Sequence, residues 1–220
     1  MCVQCTMTIS IGKAQRIHYI RSMKVFIIIL IVMLVLFSAF QIYLAMANTT
    51  ETQTYRVIKT EKEYEIRYYP ESTMAIIQST ANSYKDLASP GFRKLAGYIF
   101  GGNESGQSIA MTTPVHMDIR NDTSTMAFVM PSDYTMENLP QPNDSTVKIR
   151  RSKAEYVAAI RFGGYASDED IKKNSDKLRK ALEDAGIQYD EHIRFLGYNA
   201  PYQIVGRRNE IIVGVVWDEK

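Results

Sequence analysis

From Val25 to Phe40 the chain carries no charged residue and, Ser38 apart, no polar one. A segment without a polar face cannot lie on the surface of a water-soluble globule. Gln41 and the apolar residues Ile42 to Ala47 extend it, giving the roughly 20 residues that at 1.5 Å each cover about 30 Å of bilayer hydrocarbon. One such helix near the start of a chain has two uses. It stays as a transmembrane anchor over residues 25–47, or it is a signal peptide cut after Ala45, Met46 and Ala47, where small residues suit cleavage. The apolar part of a signal peptide is normally about 7 to 15 residues, so this run is long for one. Either way the basic flank stays inside and residues 48 onward reach the extracytoplasmic side, membrane-anchored if uncut, secreted or periplasmic if cut.

Residues 1–24 form a basic N-terminal tail holding Lys13, Arg16, Arg21 and Lys24, with no acidic residue before position 48. Met23 and Lys24, directly before the apolar run, also read as a natural start for a signal sequence. Cys2 and Cys5 make one CxxC, too few ligands for a closed zinc site and without the βαβ context of a redox motif. Beyond the tail the chain has 22 basic and 24 acidic residues. That balance argues against nucleic acid as a partner, because phosphate binding needs a concentrated basic face. The exported part has no cysteine, so it must hold together by core packing, which about 165 residues supply without disulfides.

Residues 48–54 are polar and read as a tether, leaving 55–220 as one domain. Its most diagnostic stretch is Pro90 to Met117. Phe92, Leu95, Ala96 and Ile99 share one helical face, with Ser89 and Pro90 as the expected start and Gly101, Gly102 and Asn103 as the stop. Alternation follows, with Met111, Val115 and Met117 pointing one way and Thr112, Pro114, His116 and Asp118 the other. Strands are expected at 64–69, 73–80, 125–130, 147–151, 155–162, 192–198 and 210–217, and a second helix at 168–185. Ser167 and Asp170 make a capping box for that helix, and Gly186 its left-handed stop. Each half thus runs strand, strand, helix, strand, strand. The expected fold is α+β: two pseudo-symmetric ββαββ halves forming a distorted, eight-stranded, mainly antiparallel β-barrel or sheet with two helices, preceded by one N-terminal hydrophobic helix.

The wording of the central stretch, Tyr98, Ile99, Gly101 and Asn103, then Met111, Thr112, Pro114 and Val115, resembles the SOUL/haem-binding protein family. The likeness continues through Tyr64 to Tyr69, Phe162 to Ser167, Gly197 to Pro201, and Gly206 to Glu210. The resemblance implies the same two-helix fold and a shallow apolar cleft beside the first helix that holds haem or a related tetrapyrrole. It would place Phe92, Leu95, Ile99 and Met111 along an apolar wall, although the same side chains also suit a core. Family members with a proposed histidine ligand carry it in the motif that here reads YEIRYY, where the matching residue is Tyr68. A tyrosinate can ligate ferric haem, but Arg67 alternates to the opposite face of the strand. Haem propionates want cations, and Arg93, Lys94, Arg207 and Arg208 are candidates through charge-assisted hydrogen bonds.

Little else suggests catalysis. The domain's two histidines, His116 and His192, read as solvent-facing strand residues. No P-loop, HExxH, GxSxG or dinucleotide fingerprint is present. The acidic residues are dispersed or serve helix caps, and none is an obvious buried glutamate. The expected function is therefore non-covalent tetrapyrrole binding for transport, buffering or sequestration, without catalysis. Two other readings stay open: an effector-binding module for another apolar or cationic molecule, which a buried glutamate at the groove floor would support, and an envelope interaction protein taking a peptide or lipid. Haem degradation is a further alternative. Protein partners are not indicated by any motif.

Overall fold

A computed structural model describes residues 3–46, 50–120 and 122–218, so Cys2, Ala47, Asn48 and Asn121 lie outside the described residues. The chain divides into two compact units, Met1–Asn48 and Thr49–Lys220. The first is the helix α1, Val3–Met46, which includes the basic tail as well as the apolar run. Its Met23–Tyr43 portion has a mean hydropathy of 3.0, no buried side chain, and enough length and apolarity to cross a membrane. The Ser38 hydroxyl donates to the Leu34 carbonyl 2.9 Å away, so this polar group is satisfied within the helix.

The second unit contains β1 (Glu51–Thr52), β2 (Arg56–Thr60), β3 (Glu65–Tyr69), β4 (Thr73–Ser79), α2 (Tyr84–Ile99), β5 (Thr112–Thr113), β6 (Val115–Asp118) and β7 (Ser124–Val129). It continues with β8 (Val147–Arg151), β9 (Glu155–Phe162), α3 (Asp168–Asp184), β10 (Tyr189–Gly197) and β11 (Asn209–Val215). Nine strands form one open sheet in the order β2-β3-β9-β11-β10-β6-β7-β4-β8, and β1 pairs in parallel with β5. The duplication expected from the sequence is visible in the pairing. Matching β3-β4-α2-β6-β7 to β8-β9-α3-β10-β11 maps β3–β9 onto β8–β4, β4–β7 onto β9–β11, and β6–β7 onto β10–β11, with β6–β10 at the centre. Each half lends its first strand to the other.

The sheet does not close into a barrel. Its edges are β8 and β2, the latter a strand absent from the sequence reading, since Arg56 to Thr60 is mostly exposed and shows no apolar face. The expected strand through Met117 is split at Pro114, which has no N–H for the ladder. The first helix also starts earlier than expected. Ser83 is its N-cap, accepting from Asp86 N at 3.1 Å, and Pro90 lies inside it. The stop is as expected: Gly101 has φ +101°, and a Cβ on Gly102 would sit 2.5 Å from the Gly97 carbonyl oxygen, a place only glycine can occupy. Asn103 completes it, donating through Nδ2 to the carbonyls of Tyr98 and Gln107. The second helix follows the sequence reading, with Ser167 accepting from Asp170 N and Gly186 at φ +66°.

Both helices pack on one face of the sheet. Leu87, Leu95, Tyr98 and Ile99 of α2 and Leu178 and Leu182 of α3 join Met126, Phe128, Ala158, Ile160, Ile211 and Val213 in one core. The opposite face carries a smaller cluster of Tyr69, Val157, Ala159, Leu196 and Ile212.

Candidate functional site

The apolar stripe of α2 does two different jobs along its length. Leu95 and Ile99 are 0% and 1% exposed, which makes them core and leaves no surface for a ligand. Phe92 is half-buried, its ring edge-on to Phe128 with centroids 5.3 Å apart. Met111 is likewise half-buried against the same core. Arg93 and Lys94 are exposed on the outer side of the helix, with Lys94 Nζ 3.3 Å from the Thr146 hydroxyl. Phe92 on α2 and Met111 before β5 thus each keep part of their apolar surface open, and Arg93 and Lys94 are exposed on α2.

Arg207 and Arg208 lie elsewhere and are committed. Arg207 donates to the carbonyls of Ala200 and Gln203 and lies 4.2 Å over the Tyr165 ring. Arg208 belongs to a network on the helix-free face centred on Glu210, whose side chain is fully buried. Arg67, 4% exposed, makes a two-pronged contact to that carboxylate at 2.7 and 3.2 Å. Arg208 adds two donors at 2.9 and 2.7 Å and the Tyr198 hydroxyl a fifth at 2.9 Å. Tyr55 stacks under Arg67, and its hydroxyl accepts from Arg208 at 3.1 Å. Burial works against the Glu210 anion, but the hydrogen bonds and charges of Arg67 and Arg208 outweigh it and hold the carboxyl below the ordinary glutamate range. The sequence reading found no buried glutamate, because Arg67, which supplies two of the five donors to Glu210, is 143 positions away. A carboxylate already matched by two guanidinium groups has no charge left to capture a cation.

Tyr68 is half-buried on the other face of β3. Its ring packs against Tyr156 at 5.1 Å and lies 5.7 Å from the Arg56 guanidinium. His116 departs from expectation. It is buried, with Nε2 2.7 Å from Gln53 Oε1, because the segment after β1 lies over β6 where alternation alone predicts solvent. Burial, with a smaller push from the Arg194 charge, lowers its pKa to about 3. His116 is therefore neutral near pH 7, whereas in the unfolded chain it protonates near 6.5. Protons then favour the unfolded chain, so stability is complete above about pH 6.5 and falls by about 1.4 kcal/mol per pH unit from there toward pH 3. Urea unfolding of wild type and His116→Gln between pH 7 and 4 checks this; the variant's acid slope will be shallower. His192 is exposed, as expected.

One open cleft lies at the far edge of the sheet. It has a volume of about 800 Å³ and draws its lining from three separated segments, notably Arg56 and Ile58, Ile187, and Val216 and Trp217. That volume falls within the roughly 300 to 1,000 Å³ usual for ligand sites. Sequence reasoning missed it because no one of the segments carries a motif.

Among the described residues no three His, Cys, Asp or Glu side chains are grouped to hold a metal ion. Of the residues weighed as ligands for haem iron, His116 is sealed in by Gln53, Tyr68 is flanked by Tyr156 and Arg56, and His192 is exposed.

Comparison with known proteins agrees in scope with this domain. A family model described as SOUL heme-binding protein matches residues 50–214. Heme-binding protein 1 of Sus scrofa is 26% identical over 175 residues, covering 74% of this chain and 92% of its own. Heme-binding protein 2 of Homo sapiens is 29% identical over 157 residues, covering 67% and 76%. Among solved structures, the EcmrR C-terminal domain superposes with a TM-score of 0.53 at 11% identity, covering 74% of this chain and 98% of that one. A hydrolase from Listeria innocua gives a TM-score of 0.52 at 11% identity, covering 72% and 94%. At such identities the likeness is one of fold.

Proposed function

The chain belongs to the SOUL heme-binding protein family, and on that premise we propose that its domain binds haem or a related tetrapyrrole non-covalently, for transport, buffering or sequestration. The observation that carries the reading is the family match across residues 50–214, which takes in the whole of α2 and both halves of the sheet. The macrocycle rests on the half-buried faces of Phe92 and Met111, with propionates toward Arg93 and Lys94. Leu95 and Ile99 back this surface from the core. No iron ligand is required, and Tyr68 is assigned no role in ligation. The segment 25–47 anchors the protein in a membrane with the domain on the extracytoplasmic side.

Titrating haemin into the chain will shift the Soret band and quench Trp217; absence of both defeats the reading. Tyr68→Phe will leave the Soret position unchanged. Arg93→Glu with Lys94→Glu will weaken binding roughly five- to tenfold at low salt and less at high salt, as expected for exposed charges worth about 1 kcal/mol together. The volume of the Arg56–Trp217 cleft favours a second reading, in which the macrocycle sits there instead. In that case Val216→Glu will weaken binding and the double charge reversal on α2 will not.

An unmatched buried glutamate would have supported the effector-binding alternative for a cationic ligand, and Glu210 is matched by Arg67 and Arg208.

A further inference from the structure

The loop between β10 and β11 presents large apolar side chains to solvent in a way the core does not explain. Tyr202, Ile204 and Val205 are 66%, 53% and 64% exposed, and Tyr165 beside them is 55% exposed. The loop is nonetheless built. Arg207 holds the carbonyls of Ala200 and Gln203 from within it, and the Tyr165 hydroxyl donates to the Pro201 carbonyl at 3.1 Å. The Arg207 guanidinium, 4.2 Å over the Tyr165 ring, fixes that aromatic at the loop's base. An apolar tip on an ordered loop resembles an element made to be covered.

Its position says by what. Gly197, where the loop leaves β10, pairs with Val115, and β5 lies just beyond that end of β6. β5 in turn pairs with β1, so the chain enters the domain at the end that carries the loop. Seven residues separate Tyr43, the last of the apolar span, from Glu51 of β1. Fully extended, they reach less than about 30 Å. Tyrosine with branched aliphatic side chains is the composition that settles at the interface between headgroups and acyl chains.

We propose that the Pro201–Val205 tip, with Tyr165 at its base, inserts into the interface of the bilayer that holds the apolar span. The proposal rests on the reading of that span as an uncleaved anchor. It gives the domain a second point of membrane contact.

The test uses the full chain in phosphatidylcholine vesicles with brominated acyl chains. On a Trp217→Phe background, Ile204→Trp places the only tryptophan at the tip, and Gln188→Trp places it at the opposite end of β10. The tip tryptophan will be blue-shifted and lose roughly half its emission, consistent with the 5 to 10 Å depth of interfacial groups, while the Gln188→Trp protein will be unaffected. Equal insensitivity of the two overturns the proposal, as does a tip that is protected only when another protein is added. Carbonate extraction checks the anchor separately: release of a shortened chain defeats the anchor reading. The released protein is then added to the same vesicles, where tip quenching sustains the contact and its absence overturns it.

Discussion

Glu210→Gln will destabilise the domain by about 3 to 5 kcal/mol, the cost of leaving one side of a buried ion pair without its partner. The carboxylate is fully buried and accepts from Arg67, Arg208 and Tyr198. Removing the charge leaves the Arg67 guanidinium 4% exposed, with only Glu65 at 2.7 Å to answer it. Urea unfolding followed by tyrosine fluorescence will show a lower midpoint with an unchanged slope. The double variant Arg67→Met with Glu210→Leu will recover part of the loss, because the buried Arg67–Glu210 pair is removed together while the partly exposed Arg208 keeps Tyr55 as an acceptor. An additive double variant would show that the pair is not coupled. The sign with pH follows from the depressed Glu210 carboxyl. Its contribution is fully present above the unfolded glutamate value near 4.3 and is lost as pH falls through the lower folded value. Wild type will therefore lose stability below about pH 4 in a way Glu210→Gln does not.

Leu95→Ala separates core from binding surface. Leu95 is 0% exposed beneath α2, so truncation removes its transfer energy and leaves a cavity, together about 2 to 5 kcal/mol. Haem affinity measured on the folded protein will stay within about twofold, since the side chain offers no surface to a ligand. A loss of tenfold or more in affinity, with folding intact, would mean that the helix lifts from the sheet to admit the macrocycle and that Leu95 lines the site after all. Phe92→Ser provides the contrast. Its half-exposed ring touches Phe128 on one side and solvent on the other, so the cost in stability is smaller and the loss of haem affinity larger.

Where residues act locally, the sequence determined the outcome. The apolar run was legible as a helix of membrane-spanning length, having no polar face. Ser167 with Asp170, Gly186, and the Gly101–Gly102–Asn103 stop set helix ends through contacts within a few residues. Matching strand and helix order in the two halves fixed the duplication. Only the tertiary structure decided features made by residues far apart in the chain. The first helix began at Ser83 because the cap is set by one hydroxyl meeting Asp86 N, in a stretch where Ser89 and Pro90 offered an equally good local signal. His116 moved from solvent to burial because Gln53, 63 positions away, covers it. Arg207 and Arg208 were readable as free cations until the loop carbonyls and Glu210 took their donors. The apolar face of α2 was legible as a stripe, but periodicity gives direction and not depth. Packing against Met126, Phe128 and Ile77 is what made Leu95 and Ile99 core and left Phe92 and Met111 at the surface.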